Sequence, residues 1–366
     1  MSDQTPTPAS HALLNDPRPW AFTQAELTAG LRRYTGDPSL KITELTGRDI
    51  TQRRPAIGRL RGLTVKAEGR VAGKHTLTLV LKEPQGTTRK GTAGAGFREV
   101  SLYQLLADYL PVRVPKLFAA HPNGDWLVLE MLPPGRLPEQ WTRDDYLLAT
   151  DQLVALHDRF WGLGADLAAY KWVSRPLDAD LDIYRQAATS AYHKLTKGAA
   201  SSLLTEDPKL ADLLDHLLKL FNLLVRPLRH QPPTLIHGDF WPGNIHVHTD
   251  GSLTVYDWQH IGSGPGILDL VTFIQSSLWW FSPLPISPDE IITHYRRELE
   301  QAAGARVSAE EWERLWDRAL LWSFLTRMLD VLACMPESIL RSRKKLLKTT
   351  WIKPVRKAAQ RVLAER

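Results

Sequence analysis

The sequence predicts an α+β chain built as two lobes, a smaller sheet-rich lobe followed by a larger, mainly helical one. Three observations predict it. Residues 40–82 alternate apolar and polar positions and are rich in β-branched side chains, the signature of strands. After the stretch Leu132-Pro-Pro-Gly-Arg136 the pattern changes to helical periodicity with repeated N-cap signals. The length of 366 residues is enough for two hydrophobic cores.

The elements follow in order. Residues 1–18, rich in Pro, Ser and Thr, predict a loosely attached segment. Thr23 and Glu26 form a capping box that opens a short helix, which Gly36 ends. KITELTGRDI, LTVKAEG and HTLTLVLKE read as three strands. A helix is expected at 95–109, then two strands at 116–120 and 126–131 around an Asn123-Gly124 turn. In the second lobe, Thr142 with Asp145 opens a helix through Phe160, and a long apolar-periodic helix covers 207–226. Ser287 with Glu290 opens a helix closed by Gly304, and Ser308 with Glu311 opens one running to about Met335. The resulting division is 1–38, an extension with a short helix; 39–132, the sheet lobe; 133–340, the helical lobe; and 341–366, a basic helix or tail.

Composition removes several classes. With 43% hydrophobic and 23% charged residues, the chain is neither collagen-like nor coiled-coil nor wholly disordered. One cysteine, Cys334, allows no internal disulfide and no cysteine zinc cluster. The first ten residues lack a basic and then apolar leader pattern, which with the lone cysteine predicts a cytoplasmic protein. The apolar run 267–286 is interrupted by Asp269, Gln275, three serines and two prolines, so a buried helix is expected and no membrane partner. The net charge of +6 is local: residues 341–366 hold ten Lys/Arg and one acid, leaving 36 bases against 39 acids elsewhere. A tail of this kind fits a helix docked on acids better than a nucleic-acid surface.

The chemistry concentrates in LIHGDFWPGNI (235–245), LTVYDWQ (253–259) and the glycine-rich turn Gly262, Gly264, Gly266 leading to Asp269-Leu270. Asp239 follows a short apolar run and so sits in a loop. Asn244, five residues on, carries a neutral oxygen beside turn-forming Pro242 and Gly243. A second alternating run delivers Asp257. Two carboxylates and an amide oxygen joined by a hairpin suit Mg²⁺ and a nucleotide, because Mg²⁺ takes hard oxygen ligands and leaves room for phosphates. A carboxylate outside the metal shell can accept the proton of an attacking hydroxyl.

These three blocks, in this order and spacing, resemble the aminoglycoside phosphotransferase and choline-kinase-like family, over about residues 40–335. The resemblance implies a two-lobed protein-kinase-like fold with a small antiparallel-sheet lobe, which would bind the nucleotide, and a larger helical lobe with the catalytic loop and acceptor site. It implies Asp239 as catalytic base, His237 as organiser of the catalytic loop, Asn244 and Asp257 as magnesium ligands, and Asp269 as the acid bracing that loop. It also implies Lys82 on the nucleotide phosphates with Glu99 as its ion-pair partner, and Glu130 to Leu132 as the hinge that meets the base. Glu83 and Lys90 are bystanders in this reading.

The sequence departs from the kinase pattern in ways that matter. There is no G-x-G-x-x-G, and residues 51–59 or their neighbours are the candidate phosphate cover, so the co-substrate is ATP or GTP. Gly69 to His75 is not a P-loop, having three residues between its glycines and no Ser/Thr after Lys74. Asp257 and Asp269 are 12 residues apart with no Ala-Pro-Glu following, too short for a peptide platform. A small-molecule acceptor is therefore expected: an aminoglycoside-like, sugar or amino-alcohol compound. The acid-rich segment 178–182 is either a cation site or a helix start, and among the tryptophans Trp241 is the best substrate contact. His246 and His248 share a strand face without an obvious third ligand for zinc. The rival readings are a dormant kinase-like binding module and a binder of anionic surfaces or nucleic acid through 341–366.

Overall fold

A computed structural model describes residues 20–50, 59–83, 94–198 and 202–365. The expected phosphate cover (except Arg59), the segment 1–18 and Lys90 lie outside these residues. Contacts divide the chain into two compact units: Met1–Thr88, Thr92–Tyr109 and Val114–Pro134, against Arg89–Gly91, Leu110–Arg113 and Gly135–Arg366. The main break thus falls after Pro134. The N-terminal helix falls in the first of these units and the basic C-terminal segment in the second.

The first unit is a five-stranded antiparallel sheet of order β1-β2-β3-β5-β4. Its strands are β1 (Lys41–Asp49), β2 (Arg59–Gly69), β3 (Gly73–Glu83), β4 (Leu117–Ala120) and β5 (Leu127–Glu130). Alternation buries Leu63, Val65 and Ala67 of β2 and Leu79 and Leu81 of β3 on one face. The helix Gln24–Thr35, capped by Thr23 and Glu26 and ended by Gly36 in a left-handed conformation, adds Leu27 and Leu31 to that core. Trp20, Phe22 and Trp126 stack in series at 5.5 Å spacings. Glu83, expected to be a bystander, is buried and lies 3.2 Å from the buried Arg61 guanidinium, which itself sits 3.8 Å under the Trp20 ring. A strand-end acid in this sheet is therefore an internal ion-pair partner, which local sequence could not show.

The second unit is mainly helical and carries two small ladders. β6 (Thr234–Ile236) pairs with β9 (Gly262–Gly264), and β7 (Ile245–Val247) pairs with β8 (Leu253–Val255). The expected helix at 207–226 is two helices, Pro208–Lys219 and Phe221–Arg229, joined at Leu220. The break lets each helix turn its own leucine face inward, with Leu210, Leu214 and Leu217 on one and Phe221, Leu224 and Leu228 on the other. The helix beginning at Ala309 is interrupted by a π-turn, Phe324–Met328, before continuing as Leu329–Cys334. Among the described residues no helix is long and apolar enough to cross a membrane.

The basic C-terminal segment is helical over Glu337–Leu347 and Lys353–Ala364 with a π-turn between. Its apolar face, including Leu347, Trp351, Val355 and Ala359, is part of the helical core. Its charges meet acids of that unit: Arg361 lies 2.6 Å from Asp317, Arg356 lies 2.5 Å from Asp207, and Lys344 reaches Glu206. Trp351 stacks on Phe324 at 5.7 Å and is almost fully buried. Replacing it by alanine should cost about 3–5 kcal/mol, read as a lowered urea midpoint at unchanged m-value. An unfolding free energy within about 0.5 kcal/mol of the native one would mean that the segment is peripheral to the core.

Candidate active site

The second unit collects five of the expected residues around one loop. The β6 strand ends at Ile236, and His237, Gly238 and Asp239 follow. Asp269, third residue of the helix Ile267–Phe281, is 1% exposed and receives the His237 amide at 2.7 Å and the Gly238 amide at 2.8 Å. Two backbone donors just past the strand end, that of His237 buried and that of Gly238 half-buried, are thus satisfied by a single carboxylate. His157 stands behind it with Nε2 at 3.5 Å from Asp269, and the Tyr295 hydroxyl contacts His157 Nδ1 at 2.7 Å. Burial raises the Tyr295 pKa well above the ordinary phenol range, so its hydroxyl keeps the proton.

His237 joins the loop to the second ladder. Its Nδ1 accepts the Asp239 amide at 3.1 Å, and its Nε2 lies 3.1 Å from the Tyr256 carbonyl. That pattern needs a neutral ring with the proton on Nε2. Burial lowers the His237 pKa and favours the same neutral form, against the opposing pull of the Asp269 charge. The ring packs on Trp258 at 4.4 Å.

Asn244 closes the turn after Asp239. Its side-chain nitrogen donates to the Asp239 backbone oxygen and to Asp239 Oδ2, each at 2.9 Å. The amide oxygen is thereby turned away from Asp239. The β7–β8 ladder brings Asp257 to the same end, because Ile245 pairs with Val255 and the Tyr256 amide donates to the Asn244 carbonyl at 3.0 Å. Asp257 has φ 65° and is the one non-glycine described residue in the left-handed region. Backbone strain of that kind persists where surrounding structure enforces it, and it clusters at functional sites. Asn244 carries an amide oxygen and Asp257 a carboxylate, groups of the hard-oxygen kind that Mg²⁺ takes while leaving positions for phosphates and water.

Sequence reasoning missed Arg327. One guanidinium nitrogen donates to Asp239 Oδ1 and another to the Gly238 carbonyl. Arg327 comes from the π-turn, 88 residues downstream, and only its isolation among apolar neighbours could have marked it. His157 and Tyr295 were missed as well, since neither lies near a motif.

Trp241 packs against Trp280 and Phe281, with ring centroids 6.3 and 6.0 Å away, and stays partly exposed. Trp258 and Trp279 are core residues, with 0% and 2% exposure. In the acid-rich segment, Asp180 accepts from Ser174 Oγ and the Arg175 amide, both at 2.8 Å, just before the helix Leu181–Lys197.

In the first unit, Lys82 lies on β3 between Leu60 of β2 and Leu127 of β5. Its ammonium is 2.6 Å from Glu99 Oε2, and Glu99 is fully buried in the helix Ala95–Leu105. A buried pair of this type loses about 3–5 kcal/mol if one partner alone is removed. At the end of β5 the Glu130 amide is given to the Lys116 carbonyl and the Met131 amide to the Thr78 carbonyl, with Leu132 next, outside any helix or strand.

A sequence model of the phosphotransferase enzyme family matches residues 64–315, and the chain belongs to that family. The Plasmodium vivax ethanolamine kinase superposes with a TM-score of 0.54 at 15% identity, covering 87% of this chain and 83% of its own. The GDP complex of a wild-type aminoglycoside 2'-phosphotransferase of type IIIa gives a TM-score of 0.53 at 14% identity, covering 90% and 99%. At such identities the likeness is one of fold, and the fold is the two-lobed kinase-like α+β fold. No curated protein sequence matches the chain.

Gly238 shows how tightly the loop is built. Its φ is +76°, and a Cβ there would run into the His260 carbonyl. Gly238→Ala should lower the thermal midpoint and accelerate amide exchange at residues 237–239. Unchanged exchange there would show that the loop tolerates displacement.

Proposed function

We propose that this protein transfers the γ-phosphoryl group of ATP or GTP to a hydroxyl of a small-molecule acceptor. The observation that carries the reading is the held carboxylate of Asp239. Its backbone is tied through His237 and Asp269, one oxygen is fixed by Asn244, and its side chain remains partly open, at 16% exposure. Such a group can orient an acceptor hydroxyl and take its proton.

In the reaction, the acceptor oxygen forms a bond to the γ-phosphorus. The bond from that phosphorus to the β,γ-bridging oxygen breaks, and the nucleoside diphosphate leaves with the electron pair. The hydroxyl proton passes to Asp239. Asn244 and Asp257 would hold Mg²⁺, which supplies charge neutralisation on the phosphates. Lys82, fixed by Glu99, is assigned to the α- and β-phosphates, and the segment at Glu130 to Leu132 to the nucleotide base, with Leu132 the hinge residue whose amide the sheet bonds above do not use. His237 and Asp269 act through the backbone of the loop and are positioning residues. Trp241 is assigned to the acceptor side.

A small acceptor is supported by the chain between Asp257 and Asp269. A short 3₁₀ turn, Trp258–His260, passes into β9 and then directly into the helix at Ile267. That leaves no extended segment on which a peptide could lie. The ion pairs made by Arg361, Arg356 and Lys344 support a structural role for the basic C-terminal segment over anionic-surface binding.

The test is turnover by Asp239→Asn across a panel of hydroxylated acceptors. Turnover should fall by at least about two orders of magnitude, the usual contribution of a general base. Nucleotide affinity should stay within about threefold of native, while Asp257→Ala should abolish magnesium-dependent nucleotide binding. Full turnover by Asp239→Asn on the preferred acceptor would overturn the assignment.

A further inference from the structure

We propose that the helical unit holds a second ligand site, a cavity behind the brace of the Asp239 loop, and that it takes a small carboxylic acid with an apolar body. Its occupant stabilises the braced form of the loop. The proposal goes beyond the phosphotransferase reading, which gives the residues of this cavity no role.

The first observation is the cavity itself. It has a volume of about 60 Å³ and lies between the start of the helix Ile267–Phe281 and the helices Pro288–Ala303 and Ala309–Ser323. Its walls are mostly apolar: Ile267, Leu299 and Leu315 are buried, and Trp161 and Trp312 are half-buried. An enclosed water needs about 10–15 Å³, so the space takes roughly four to six heavy atoms. That is one ring or one short branched chain, and walls of this kind favour such a body over water.

The second observation is a cation without an acid. Arg296 lines the cavity with its guanidinium 4.9 Å over the Trp312 ring, and its Nη2 donates to the Val307 carbonyl at 3.1 Å. Among the described residues no carboxylate pairs with it, and its Nε and Nη1 have no acceptor. Glu300, the acid in the lining, pairs instead with Arg306 at 3.0 Å, and Glu311 accepts from Gln231 at 3.3 Å. A guanidinium keeps its charge, and a carboxylate is the planar acceptor that its fork matches. Stacking on Trp312 holds that fork beside the apolar wall. An apolar acid meets both surfaces at once, whereas an amine is repelled.

The third observation is what the cavity touches. Tyr295 and Gly266 belong to its wall. The Tyr295 hydroxyl contacts His157 Nδ1 at 2.7 Å, and His157 Nε2 lies 3.5 Å from Asp269, the carboxylate that receives the His237 and Gly238 amides. Two contacts therefore separate the wall from the brace. The Tyr295 ring also packs on Trp312, with centroids 6.3 Å apart. An occupant fitted to this wall loses contact when Tyr295 withdraws from His157. By linkage, its binding then favours the braced state over the open one.

The experiment titrates the full chain by calorimetry with benzoate, its neutral isostere benzamide and the cation benzylamine, with neither nucleotide nor acceptor present. Benzoate should bind at least about tenfold more tightly than benzamide, and benzylamine least of the three. Arg296→Gln should bring benzoate and benzamide within about threefold of each other. Ala305→Trp, which fills the cavity from its lining, should weaken benzoate and benzamide by about tenfold or more. Circular dichroism and thermal midpoints check that the variants fold. Benzoate at about ten times its dissociation constant should slow amide exchange at His237 and Gly238 by about tenfold. In Tyr295→Phe the slowing should fall below about threefold while benzoate still binds. No benzoate binding at about 10 mM, equal affinity for the three probes, or binding untouched by Arg296→Gln and Ala305→Trp overturns the site. Binding without slowed exchange overturns the coupling to the loop. None of these readouts uses phosphoryl transfer, so they and the turnover of Asp239→Asn fail separately.

Discussion

The loop that carries Asp239 depends on one buried carboxylate. Asp269 sits in the first turn of a helix, where the exposed amides of the helix end favour negative charge, and it accepts the amides of both His237 and Gly238. Neither amide has a strand partner once the chain leaves β6, and leaving either unbonded in the interior would cost about 1–3 kcal/mol. The carboxylate therefore dictates the path of the loop, and the loop path places Asp239. His157 and Tyr295 extend the same constraint backwards: the Tyr295 hydroxyl donates to His157 Nδ1, which leaves Nε2 to face Asp269. A Cβ at Gly266 would collide with both of those side chains, so the residue opening the helix has to be glycine.

The same logic appears in the sheet unit on a smaller scale. Lys82 and Glu99 come from a strand and a helix, and each is nearly without solvent. An ammonium so buried is held in one place by its partner. Arg61 and Glu83 form a second interior pair in the same sheet, but that pair is covered by Trp20.

Much of this was legible in the sequence because it is local. Capping boxes at Thr23 and Thr142, the serine caps at Ser287 and Ser308, the alternation in β2 and β3, and the spacing from His237 to Asp257 all act over a few residues. What was not legible is long-range. The halving of the helix at Leu220 and the π-turn at Phe324–Met328 answer to packing against distant residues, and no propensity at those positions announces them. Arg327 and His157 reach the loop from 88 and 112 residues away from their partners Asp239 and Asp269, so no motif window contains both ends. The charge of the C-terminal segment was visible, but the acids that receive it, Asp207, Asp317 and Glu206, became visible only when the helices were packed.

The most direct measurement removes one lone-pair set from the brace while keeping its shape. Asp269→Asn retains a single carbonyl oxygen for two amides and loses the negative charge. Amide exchange at Gly238 and single-turnover transfer from a γ-labelled nucleotide, to acceptor or to water, should be followed together in that variant. The account predicts exchange faster by at least tenfold and transfer slower by at least tenfold, with the fold retained. Transfer at the native rate in a variant whose Gly238 amide exchanges freely would contradict it.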